Sequence, residues 1–213
     1  MALKTLHAIG MSMTQDQLRD EELVIQAQRG DEAAFAELVH RHEHRVYTLA
    51  LGMLHNSADA EDILQETFIN ALRGLKNFRG DATFATWLYR IAYNATLMKL
   101  RKTSPTLSLD ETIEGDDNDM PRELIDWSHD PVDAVLNEET RAVMDEAIAA
   151  LPPVGRAVFI MRDVDGLSTE ETAAALGITA DAVKVRLHRA RLALREHLAP
   201  YFSARRPEQK ETL

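Results

Sequence analysis

Through residues 20–102 apolar side chains recur at three- and four-residue steps, and no strand-like alternation interrupts them. Phe35, Leu38, Val39, His42, Val46, Leu49 and Met53 trace one stripe, which predicts a helix with a single buried face. Polar breaks fall at "RGD" (29–31), "HNSAD" (55–59) and "NFRGDAT" (77–83). The next helix is predicted from Ser57 or Asp59 to Leu75, with Ile63 or Leu64, Thr67, Ala71, Leu72 and Leu75 facing inward. A third, from Thr83, is expected to bury Phe84, Leu88, Ile91, Ala95 and Met98. Between 103 and 131 the periodicity lapses into Pro, Gly, Ser and a dense run of acids, a composition that suits a linker. A second helical block is expected over 132–202, framed by an N-terminal extension at 1–19 and a tail at 203–213. The fold class is therefore all-α, with two small helical domains joined by a flexible acidic linker. A chain of 213 residues with 45% hydrophobic side chains can support two such cores.

The second domain contains a helix-turn-helix pattern. Ser168 followed by Glu171 forms a capping box that starts a short helix. Gly177 can supply the left-handed residue that ends it, Ile178 can pack into the corner, and Thr179 can cap a second helix from Ala180 or Asp181. On that second helix Val183, Leu187, Ala190 and Leu194 share the inner side, while Asp181, Lys184, Val185, His188 and Arg189 share the outer. A helix in the major groove presents its first turns to base edges, which assigns Lys184, Val185 and His188 to bases and Arg189 to bases or backbone. Arg186 and Arg191 are left for phosphates or for the domain's own acids.

In the first domain "FATWLYRIAYNATLMKLRK" alternates rings with cations. Thr86, Tyr89, Arg90, Tyr93, Leu97 and Arg101 are expected on its outer face with Trp87 at the edge, the chemistry of a platform for unpaired bases. Filling of core gaps by Trp87 and the tyrosines is the competing reading. Charge placement agrees with two nucleic-acid surfaces inside an acidic chain. Residues 110–133 hold ten acids against Arg122 alone, which accounts for -9 of the formal net charge of -11. Residues 73–102 and 184–206 each carry seven cations against one acid. Affinity for nucleic acid follows such local patches and not the whole-chain sum.

Four stretches in order, "GDEAAFAELVHRH", "ADAEDILQETFINAL", "FRGDATFATWLYRIAYN" and "LPPVGRAVFIMRDVDGLSTEETAAALGITADAVKVRLHRARLAL", resemble the extracytoplasmic-function (ECF) group of sigma-70-family RNA polymerase sigma factors. The resemblance implies a subunit that joins core RNA polymerase and directs it to promoters. The 20–102 domain would bind core enzyme and melt the -10 element, and the 132–202 domain would read the duplex -35 element. It implies docking on the β′ clamp helices through Asp59, Asp62, Gln65, Glu66 and Phe68. Contacts to the non-template single strand at -10 would come from Asn77, Phe78, Arg79, Thr83, Trp87, Tyr89 and Arg90. Contacts at -35 would come from Arg162, Thr179, Lys184, Val185, His188 and Arg189. The linker would thread the polymerase channel later taken by RNA, and an anti-sigma factor is implied as a further partner.

Rival classes find less support. His40 and His44 lie four apart but lack a third ligand, and His42 on the apolar stripe is expected to be a core histidine with a hydrogen-bond partner. "DETIEGDDND" lacks the alternating spacing of a calcium loop, and the absence of Cys excludes disulfides and thiolate-metal sites. Neither a phosphate loop nor a nucleophile elbow is present, so no enzyme, metal or cofactor is expected. No segment reads as a membrane helix or leader, and a cytoplasmic location is expected. A stand-alone helix-turn-helix repressor or activator is the alternative function; it would need a dimer interface and tight duplex binding without polymerase.

Overall fold

Five helices, α2, α3, α4, α7 and α8, start where a short polar side chain occupies their exposed amides. In the computed structural model, which describes residues 19–103 and 138–204, α1 (Asp20–Gln28) leads into α2 (Glu32–Leu54). Asp31 starts α2 by accepting from the amides of Ala33 and Ala34 at 2.9 and 3.2 Å. Asn56 accepts from the Asp59 amide at 3.0 Å and starts α3 (Ser57–Gly74). A 3-10 turn (Leu75–Asn77) follows, and Thr83 then caps α4 (Phe84–Thr103) through the Thr86 amide at 3.2 Å. The second domain comprises α5 (Glu138–Ala149), α6 (Pro153–Phe159), a π-helical turn (Ile160–Val164), α7 (Thr169–Leu176) and α8 (Ala180–Ala204). Beyond Thr103, the predicted linker lies outside the described residues, as do the N-terminal extension before Arg19 and the tail after Ala204.

The predicted stripe on α2 faces inward at Leu38, His42, Val46, Leu49 and Met53. His42 is a core histidine: its Nε2 lies 2.7 Å from Asp20 Oδ2 and its ring leans on Phe84. That hydrogen bond holds the Asp20 carboxyl below its usual range against the opposing effect of burial. Leu72 and Met98, expected inside, are 55% and 59% exposed. On α3 the row Ile63, Thr67, Ala71, Leu75 already fills the inner face. On α4 burial follows Leu88, Ala92 and Ala95 and, on a second side, Thr86, Tyr89 and Tyr93. Two faces of α4 are covered, where the sequence pattern predicted one.

The second cover is the other domain. α7 packs along α4 and α6 along α2, so buried residues of both domains form one continuous cluster. Gly52 makes the close approach possible, because a Cβ there would lie 2.5 Å from Ile160 Cδ1. Arg156, 7% exposed, crosses the boundary. Its Nη1 donates to the Met53 carbonyl at 2.9 Å and to His55 Nε2 at 2.6 Å. Its Nη2 donates to the carbonyls of Leu151, at 2.8 Å, and Ala149. His55 ends α2 in the left-handed conformation (φ 52°) and accepts from Arg156 only while its ring is neutral.

Burial, and then the charge of Arg156, hold His55 below 6.5. The unfolded chain therefore takes up this proton more readily, so the stabilisation is complete above 6.5 and is lost as pH falls through the folded value. Asp165, raised above 3.8 by burial, acts with the opposite sign. The urea midpoint of the wild-type chain should fall between about pH 7.5 and about pH 5.5. His55→Asn, which tolerates the left-handed backbone without titrating, should flatten that slope; an unchanged slope would contradict the assignment.

Candidate nucleic-acid interface

The helix-turn-helix forms as its sequence specifies. Ser168 Oγ accepts from the Glu171 amide at 3.1 Å, and Glu171 Oε2 accepts from the Ser168 amide at 2.8 Å. These hydrogen bonds hold the Glu171 carboxyl below its usual range. Gly177 closes α7 at φ 69° and ψ 33°, and Thr179 Oγ1 accepts from the Ala182 amide at 3.1 Å to start α8. Val183, Leu187, Ala190 and Leu194 are buried, whereas Asp181, Lys184, His188 and Arg189 are exposed and Val185 half-buried. Lys184 reaches back to Asp181 at 3.0 Å, a surface pair that contributes little and leaves the ammonium free to exchange partners. Arg191 forks onto Asp163 at 2.7 and 2.8 Å, serving the domain's own acid. Arg162 is half-buried and donates to the Leu167 carbonyl, tying the π-helical turn to the start of α7.

In the first domain a cavity of about 340 Å³ opens beside the predicted -10 loop, within the range of small-ligand sites, about 300–1,000 Å³. Asn77, Phe78, Arg79, Trp87 and Arg90 line it, and Ala174 of α7 closes one side. Phe78, Phe84 and Trp87 form an aromatic cluster with ring centroids 4.9 to 6.2 Å apart. Thr83 and Tyr89 stand apart from the cavity wall: Thr83 caps α4, and Tyr89 is 2% exposed beneath α7. Sequence reasoning missed Gln28, whose amide nitrogen donates to the carbonyls of Leu75 at 2.9 Å and Phe78 at 2.8 Å. These partners lie 47 and 50 residues away in sequence, so no local pattern could reveal the link. From the end of α1, Gln28 fixes the turn that carries Asn77, Phe78 and Arg79.

The residues expected to face polymerase divide. Asp62, Gln65 and Glu66 are exposed on α3, while Asp59 is half-buried and paired with Lys99 at 2.7 Å. Phe68, expected outward, is 8% exposed and packs in the core, because it falls beside the inner row. Ile69 and Leu72 instead present apolar surface next to Gln65 and Glu66, at 48% and 55% exposure. Among the described residues no group of three or more His, Asp or Glu could hold a metal ion, and no helix is long and apolar enough to cross a membrane.

Residues 38–106 match the family model for sigma-70 region 2, and residues 141–194 match that for sigma-70 region 4. The chain is 37% identical over 174 residues to the ECF RNA polymerase sigma factor SigW of Bacillus subtilis, covering 81% of this chain and 93% of that protein. It is 38% identical over 188 residues to the ECF RNA polymerase sigma-E factor of Escherichia coli K12, covering 87% and 97%. CnrH, solved in complex with the cytosolic domain of CnrY, superposes with a TM-score of 0.62 at 26% identity, covering 85% of this chain and 97% of that one. RpoE of Bartonella quintana, solved with the anti-sigma factor NepR, shares the fold, with a TM-score of 0.58 at 21% identity over 78% and 96%. The two region matches put this chain in the sigma-70 class. The chain belongs to the ECF RNA polymerase sigma factors.

Gln28→Ala removes the donor from two part-buried carbonyls and should cost about 1–3 kcal/mol in urea unfolding. A loss within experimental error would show that the turn holds without Gln28.

Proposed function

We propose that this sigma factor directs core RNA polymerase to promoters by dividing the work between its domains. The 20–102 domain captures the non-template strand of the -10 element, and the 132–202 domain reads the -35 duplex. The observation that supports this best is the difference in chemistry between the two surfaces. On one domain a cavity lined by Phe78, Trp87, Arg79 and Arg90 suits a single unstacked base, with rings to stack on and cations for its phosphates. On the other, Lys184, His188 and Arg189 are exposed on a helix whose start is capped, which suits a major groove. Asp62, Gln65 and Glu66, with Ile69 and Leu72, form a mixed acidic and apolar face suited to the basic clamp helices of core enzyme.

RNA synthesis itself belongs to the polymerase, and the chain acts as its non-enzymatic specificity subunit in the cytoplasm. RpoE of Bartonella quintana was solved bound to an anti-sigma factor; an inhibitor of that kind is the expected antagonist here. Specific duplex binding by the free chain would instead favour a stand-alone regulator.

Run-off transcription with core enzyme on a random promoter library tests the reading: initiation from a defined set of promoters is expected, and none from any template would overturn it. Lys184→Ala or His188→Ala should each remove a base contact of about 1–3 kcal/mol. Transcription from -35-dependent promoters should fall about 5- to 150-fold with core binding intact; unchanged selectivity would contradict the assignment. Trp87→Ala should slow initiation on duplex templates more than on templates pre-melted at -10, and equal loss on both would contradict its role in strand opening.

A further inference from the structure

Gln28 stands outside the cavity wall, yet it holds the chain that forms it. Its amide nitrogen donates to the carbonyl of Leu75, the first residue of the 3-10 turn, and to that of Phe78, the residue just past its end. The Leu75 carbonyl already accepts from the Phe78 amide at 3.0 Å, so the bond from Gln28 adds position there more than it adds satisfaction. Asn77 lies between the two clamped carbonyls and Arg79 follows directly. Both are exposed, and both line the cavity.

The loop needs a hold from outside. A short 3-10 turn has poor hydrogen-bond geometry and fixes little beyond itself. Gly80 then takes the left-handed conformation at φ 77°, and a Cβ there would meet nothing within 4 Å, so packing does not fix the backbone at that point. Thr83 ties the far end of the loop by capping α4. Gln28 ties the near end, from a helix that is itself anchored. Leu23 and Val24 of α1 are buried, and at its start Asp20 accepts from Arg41 Nη1 at 3.2 Å and bonds His42 Nε2 at 2.7 Å. α1 is thus a strut between α2 and the loop.

The stacking wall is placed separately. Gly74 leaves room for the Trp87 ring, since a Cβ at that position would lie 3.2 Å from Trp87 Cζ2. Rings stack on any base, so discrimination among bases falls to the polar groups of Asn77 and Arg79. Recognition by such groups requires them to be held to within about 0.5 Å of their working positions.

We propose that Gln28 is a positioning residue for promoter selectivity: by clamping the Leu75 and Phe78 carbonyls it sets where Asn77 and Arg79 meet an unstacked base, and so which base the cavity accepts. The proposal rests on the reading of the cavity as the site for a -10 base. In this role Gln28 touches no nucleotide, and its loss blurs the choice among bases more than it weakens binding to all of them.

Run-off transcription with core enzyme is compared on templates pre-melted at -10 that differ only in the non-template base at which the wild type discriminates most. The wild type should favour its best base over its worst by about 5- to 150-fold, the range for one good polar contact to a base. Gln28→Ala should narrow that ratio at least about fivefold while core binding and preference at -35 stay as in wild type. Gln28→Met, which fills the same space without a donor, should do the same and serves if the Ala variant does not fold. Gln28→Lys keeps N–H donors at the end of α1, where a cation is favoured, and should restore the wild-type ratio. A fall in rate by one factor on every template, with the ratio intact, would show a merely structural role and overturn the proposal, as would a Lys variant no more selective than Ala. Equal wild-type rates on all the templates would instead overturn the reading of the cavity, and the proposal with it.

Discussion

Arg156 is a buried cation whose hydrogen-bond partners are carbonyls and an imidazole. Such a charge persists inside a protein only when acceptors replace its lost water, since an uncompensated one costs several kcal/mol. The acceptors come from helix ends. Met53 lies in the last turn of α2, and Ala149 ends α5, with Leu151 just beyond. Carbonyls there lack intrahelical partners and sit at the negative end of the helix dipole. One guanidinium therefore satisfies two helix termini from different domains and fixes α6 against the end of α2. Burial pulls its pKa down, and a guanidinium is so strong a base that it keeps its proton at neutral pH.

The rest of the domain contact depends on that placement. With α6 seated on α2, Ile160 fills the space above Gly52, and the π-helical turn carries Asp165 towards Tyr89, Arg45 and His44. α7 then lies along α4, and the aromatic face of that helix is enclosed. α8 packs on the inside through Val183 and Leu187 and keeps its cationic outer face in water. The aromatic face of α4 is thus enclosed while the cationic face of α8 stays in solvent.

Local chemistry was legible in the sequence because it is local. The Ser168–Glu171 box, the Gly177 turn and the inner row of α8 follow from residues within a few positions of each other, as does the inward stripe of α2. His42 was recognised as a core histidine, though its partner Asp20 lies 22 residues away and had to be seen. What failed to show were the long-range contacts. Gln28 and Arg156 reach carbonyls that are 47 to 103 residues distant, and nothing in their neighbourhoods marks them. Tyr89 and Tyr93 read as outward because periodicity reports how a helix packs against its nearest neighbours, not whether another domain lies on its far side. Leu72 and Met98, which periodicity puts inside, face outward, the error to expect where apolar residues outnumber the inner sites, whereas Phe68, which the family resemblance puts outside, packs in the core.

That Arg156 and the apolar packing around it hold the two domains in one fixed arrangement is tested most directly by the distance between spin labels at Glu61→Cys and Glu196→Cys, two exposed positions in different domains of a chain without native Cys. A single narrow distribution is predicted with Arg156 in place, broadening when Arg156→Met removes the guanidinium. A broad distribution before that change, or an unchanged narrow one after it, would contradict the account.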